Sequence, residues 1–253
     1  MNKTYYEIIN EIVEPQRMWF SDIVEPTVEA LPPFMQSGNA ENLASYRLNN
    51  YGLRCDDFNE TPKNHILFGG CELTMPMDIE EDEGWAKKLY LQLDSNSGNF
   101  RNLCYPGASV EKIVSNVFKY CKQFGNPEKL FLYLPDVTRD IGFWVESKAF
   151  KPKLFYQNDI NQEGGKEHNE MAEPKNLPVE ITIIRYLHFV RALEQYCEAS
   201  NIDLYWTSWD NHTNDLLFNF NFKYLFKNTA SNNRNQDDIF NMFVTEIKNK
   251  NVK

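Results

Sequence analysis

Histidine is scarce in this chain. Four occur in 253 residues, His65, His168, His188 and His212, and none stands at a metal-ligand spacing from another histidine or a cysteine. No metal site is expected, and no cofactor. The five cysteines are odd in number and include no Cys-x-x-Cys pair. That excludes a disulfide framework and a cysteine-rich zinc site, and it points to buried thiols in a reducing compartment.

Positive charge is also in short supply. Against 36 acidic side chains stand 26 basic ones, a net charge of -10. Such a chain repels phosphate backbones and anionic lipid surfaces, so neither nucleic acid nor a membrane is an expected partner. No run of about 18 apolar residues offers a membrane span. The opening MNKTYYEIINEIVEP lacks a signal-peptide apolar core, so the expected location is the cytoplasm of the producing cell, without secretion by a signal peptide. Internal repeats and low-complexity tracts are missing too.

What is present suits one α/β domain. Hydrophobic residues make up 42% of the chain and aromatics 14%, enough for a substantial core. Residues 1–45 read as an N-terminal helix over 3–14 followed by an irregular arm rich in aromatics and proline. Residues 46–253 read as the α/β domain. Its expected strands are HILFGG (65–70), FRNLCY (100–105), KLFLYLP (129–135) and IDLYWTS (202–208). Helices are expected over 82–93, from Ser109 to Phe124, over 179–199 and over 237–248. In the third of these the core stripe is expected at Ile184, Leu187, Val190, Leu193 and Tyr196. Residues 157–178 are polar, carry two adjacent glycines and read as an exposed insertion. Strands alternating with helices imply a mostly parallel sheet covered on both faces, with ligands at the carboxyl ends of its strands.

Those strand ends carry a resemblance. HILFGGCELT (65–74) resembles the first block of SGNH/GDSL hydrolases, in the Gly-Cys-Ser-x-Thr form written by phage-borne relatives, with Glu72 in the place of the serine. YRLNNYGLRCDDF resembles the lead-in of those phage proteins, EDEGWAKKL their acid–Trp–Leu helix, NLCYPGAS their second block, and LYLPDVTR the strand and arginine that follow. The resemblance implies a three-layer, flavodoxin-like SGNH fold. It makes Gly107 the second block's oxyanion-hole glycine.

Two departures bear on chemistry. The third block should supply an asparagine, and here the strand ends in Pro135 and Asp136. The fourth should supply Asp-x-x-His just before the last helix, and FKNTASNNRNQDDIF holds no histidine. Hydroxyl nucleophile and base are both missing, and an esterase of this kind needs them. Glu72 is a carboxylate where backbone donors converge. Those donors favour its charged form, so the expectation is that it fills or bridges the former oxyanion hole, with a nucleophilic or basic role as the alternative. Asp210 and His212 are the candidate base dyad, against a surface histidine with local bonds. Asp136, Arg139 and Arg54 are candidate ligand-binding groups beside Gly107, the arginines being equally suited to structural ion pairs. Cys71 reads as a buried, inert thiol.

Two functions follow. The first is a catalytically degenerate, phage-encoded SGNH-like protein, a virion or assembly component or a binding module, meeting other virion or assembly proteins through its N-terminal arm. The second is an active esterase or deacetylase on acyl esters or acetylated carbohydrate, using Glu72, Asp210 and His212.

Overall fold

The computed structural model describes residues 49, 53–58, 65–75, 79–93, 99–104, 108–137, 139–144, 149–153, 179–231 and 234–251. The N-terminal helix and arm (1–45), the polar insertion (157–178) and Gly107 lie outside the described residues.

Four strands form one wholly parallel sheet: β1 (Ile66–Gly70), β2 (Arg101–Asn102), β3 (Lys129–Leu134) and, late in the chain, β6 (Asp203–Ser208), in the order β2-β1-β3-β6. Between them β4 (Asp140–Trp144) and β5 (Ala149–Lys153) make a separate antiparallel pair. With that pair set aside, the order is the one found in flavodoxin-like sheets. The helices are α1 (Trp85–Leu93), entered through a 3₁₀ turn at Glu81–Glu83, α2 (Val110–Phe124), α3 (Val179–Ala199), α4 (Asn211–Phe218) and α5 (Gln236–Asn251).

Strand alternation sorts the two faces. In register across three strands, Phe68, Phe131 and Tyr205 stack with ring centroids 5.4 and 4.8 Å apart and nearly parallel planes. This ladder faces α1 and α5, whose Trp85 and Phe243 stack on each other at 4.6 Å. On the opposite face Gly69 looks toward Ile113 of α2, and Trp206 reaches Glu194 of α3. The result is a helix–sheet–helix sandwich.

Local signals explain the helices. Ser109 caps α2, accepting from Lys112 N–H at 3.3 Å, and Gly125 closes the helix at φ 84°, where a side chain would be strained. The α2 stripe expected at Ile113, Val114, Val117, Phe118 and Cys121 is buried except at Phe118, which is half-buried. In α3 the expected stripe is corrected: Ile184 is exposed, and Tyr186, Val190, Leu193 and Cys197 point inward. Their spacing of four, three and four residues holds one side of a helix.

Candidate functional site

In this strand order the connections leave β1 and β3 in opposite directions, so the crevice at a topological switch point opens between their carboxyl ends. The residues there were built for a tight turn. β1 ends in Gly69 and Gly70, and an added Cβ on Gly70 would sit 2.1 Å from Thr74 Oγ1 and 2.7 Å from the Tyr133 carbonyl oxygen. The chain then turns through Cys71–Met75, with Thr74 and Met75 N–H both donating to the Cys71 carbonyl at 3.0 and 3.3 Å. Glu72 is lifted onto the rim of the sheet by that turn.

From the far side of the crevice, after β3, comes Arg139. Its two terminal nitrogens donate to the two oxygens of Glu72 at 2.7 and 2.8 Å, a bidentate pair bridging the switch point. The pair is unequal: the Arg139 side chain is 3% exposed and the Glu72 side chain 35%. Burial works against the Arg139 charge, but the Glu72 hydrogen bonds and the nearby Asp136 carboxylate outweigh it and hold the guanidinium more firmly protonated than usual. The Trp209 ring, after β6, flanks the guanidinium with 5.5 Å from its centroid to Cζ. Thus the loops after β1, β3 and β6 meet at one ion pair.

Beneath it lies a hydrogen-bonded floor. Tyr186 and Ser208 hydroxyls both donate to the Pro135 carbonyl, at 3.1 and 3.2 Å. Asn214 takes Thr207 Oγ1–H and Ser208 N–H, and returns its amide to the Ser208 carbonyl at 2.7 Å. Asn228 donates to the Ser208 carbonyl at 3.0 Å. Such a fully bonded floor fixes the strand ends rigidly.

The remaining candidates fall elsewhere or in other roles. Asp210 is the N-cap of α4: its Oδ2 accepts from Thr213 N–H at 2.7 Å and from Thr213 Oγ1 at 2.6 Å. His212 sits exposed in the first turn of that helix and makes no hydrogen bond to Asp210, so the structure does not bring the two together as a dyad. The reason is helical: a cap must turn its carboxylate onto the N–H three residues on, away from its neighbours. Arg54 is buried behind the first turn, donating to the Ile79 carbonyl at 2.8 Å, and lines a small crevice with Glu81, Lys87 and Asn102, apart from Arg139. Asp136 lies close enough to act on Arg139, and its carbonyl accepts Arg139 N–H at 3.3 Å. Cys71 is fully buried, and burial, reinforced by the Glu72 charge, pushes its thiol far above the usual range. Among the described residues no cluster of three or more His, Cys, Asp or Glu could hold a metal ion, and no helix is long and apolar enough to cross a membrane.

One residue escaped the sequence reading. Gln236, the first residue of α5, accepts from Trp85 N–H at 3.0 Å and donates to the Leu73 carbonyl at 3.4 Å, beside Glu72. Trp85 Nε1–H donates to the same carbonyl at 3.1 Å. The only sequence signal was its place at a helix start, within the stretch where the hydrolase resemblance expects a histidine.

No protein-family model matches the chain, and no curated protein matches it in sequence. Solved structures resemble it distantly. TesA shares 12% identity over 56% of this chain, with a TM-score of 0.33, and the chain spans 59% of the length of TesA. The psychrotrophic esterase EstA from Pseudoalteromonas sp., solved with monoethylphosphonate as inhibitor, shares 14% identity over 76% of this chain and all of its own, with a TM-score of 0.43. A member of the lipolytic protein G-D-S-L family from Veillonella parvula shares 14% identity over 72% of this chain and 96% of its own, with a TM-score of 0.31. Each likeness is distant, at low identity, over part of this chain and with a TM-score below 0.5.

Proposed function

We propose that this chain is an SGNH-hydrolase-like protein whose site binds rather than hydrolyses. The observation that carries the reading is the bidentate Glu72–Arg139 pair. Where the resemblance expects a serine free to attack, the side chain is a carboxylate with both oxygens engaged by a buried guanidinium. A nucleophile or base must offer a lone pair to substrate, and a carboxylate held in this way offers it poorly. The start of the last helix adds support, because an uncharged amide, Gln236, faces the site turn there.

The phage form of the sequence blocks supports a place among virion or assembly components, as a binding module of the particle or of its construction. The opposing reading, an esterase or deacetylase on acyl esters or acetylated carbohydrate, draws on Glu72 with Asp210 and His212. Asp210 as a helix cap and His212 as an exposed side chain weigh against it.

The test is hydrolysis of a panel of short acyl esters and acetylated sugars by the protein and by Glu72→Ala. The expected result is no turnover above background in either. Turnover that vanishes in Glu72→Ala overturns the reading. Co-sedimentation of the protein with virus particles tests the assembly role.

A further inference from the structure

We infer that the Arg139 guanidinium is a carboxylate receptor, and that Glu72 is its resting occupant, exchangeable for the carboxylate of a small organic acid. The inference rests on the non-hydrolytic reading of the same site and names the ligand it would take.

Four observations point the same way. The pair spans the β1/β3 switch point, which is where a sheet of this order takes its ligands. Its two halves are held unequally. Arg139 is 3% exposed and lies beside Trp209, whereas Glu72 is 35% exposed on a short irregular turn, so solvent reaches the anion and not the cation. A buried guanidinium left alone is costly, and any planar carboxylate that reaches it supplies the same two-pronged contact at 2.7 and 2.8 Å. The Trp209 indole that flanks it also carries a buried Nε1–H with no acceptor among the described residues.

Charge selects the ligand further. The Asp136 carboxylate acts on the same guanidinium, so among the described residues two negative groups stand against this one positive group. In Glu72→Ala a monoanion restores that balance, and a phosphate dianion overshoots it. An organic tail would lie along the indole face rather than in water.

The experiment is thermal unfolding of the full chain as wild type, Glu72→Ala, Glu72→Gln and the double variant Glu72→Ala/Arg139→Gln. Each is titrated with sodium acetate, sodium phosphate and sodium chloride at matched ionic strength. A ligand that binds only the folded form raises the midpoint in a saturable way. Acetate is expected to raise that of Glu72→Ala, chloride is not, and the double variant is expected to show no rise. In the wild type the tethered carboxylate competes, so the same rise needs about tenfold more acetate or beyond. If Glu72→Ala does not fold, the near-isosteric Glu72→Gln decides in its place. Equal responses to acetate and chloride, a rise that survives in the double variant, or no response in a folded single variant overturns the inference. A larger response to phosphate than to acetate overturns the preference for a monoanion. Ester turnover is read separately, so failure of the receptor and failure of the non-hydrolytic reading leave different marks.

Discussion

Gly70 and Tyr133 are opposed in register across β1 and β3 so closely that a methyl group on Gly70 would lie 2.7 Å from the Tyr133 carbonyl oxygen. The obstacle is backbone in the middle of a parallel sheet, and a side-chain rotation cannot relieve it. Gly70→Ala should therefore cost about 3 kcal/mol or more. The check is the shift of the urea midpoint, and because the Cβ also meets Thr74 Oγ1 at 2.1 Å, the double variant with Thr74→Ala should recover only a minor part.

Glu194 is a buried carboxylate that accepts from Trp206 Nε1–H at 3.0 Å, Tyr224 N–H at 2.9 Å and Lys223 N–H at 3.2 Å. Truncation to alanine leaves those donors without an acceptor, at about 3–5 kcal/mol. Glu194→Gln should fall between, since its amide oxygen serves some of the donors and its NH₂ opposes the others. Hydrogen exchange should show the Lys223 and Tyr224 amides loosening first in both variants.

All five thiols are buried. Burial pushes the Cys121 thiol up from 9.0 to about 11 and that of Cys197 to about 12. A group whose folded pKa is raised binds its proton more tightly folded than unfolded. Its contribution to stability is whole below the unfolded value and disappears as the pH rises through the folded one. Stability should then fall as the pH climbs from 9.0 toward about 11, and Cys121→Ser should flatten part of that fall. Iodoacetamide at neutral pH should label the native protein only at the rate of its unfolding.

Glu81 titrates in an acidic window by the same logic. Burial raises its pKa above 4.5, against the opposing pull of Lys87 at 3.2 Å. The protonated form is favoured in the fold, so stability contributed by Glu81 is present below pH 4.5 and is lost as the pH rises through the higher folded value. Urea unfolding between about pH 4 and pH 7 should show a shallower decline for Glu81→Gln than for the wild type.

The sheet was legible where the sequence is least ambiguous. HILFGG, KLFLYLP and IDLYWTS are short, nearly unbroken apolar runs, as strands buried on both faces require. The pair β4–β5 was not, because DIGFW and AFKPK carry glycine, proline and lysine among few β-branched residues. Ile184 was misassigned through a stripe spaced by threes. Each such step turns about 300° around a helix, so four of them wander off any one face. At the site, Glu72 and Arg139 were each singled out for their chemistry. Their pairing was not, since it joins residues 67 apart and depends on β1 and β3 being neighbours. Asp210 is a candidate acid partner for His212 in the sequence, against a surface histidine, and Thr213 three residues on is the mark of the helix cap that the structure shows.

The amide of Gln236 reaches a carbonyl 163 residues behind it, at Leu73. A ribosome that has released β1, β2 and β3 has therefore made both strands flanking the crevice, but not the peg that fixes the turn carrying Glu72. Chains that stop short of α5 retain most of the apolar ladder and lose that peg. They also leave the ladder uncovered where Phe243 packs, so the resting occupancy of Arg139 becomes a property that only nearly finished molecules acquire.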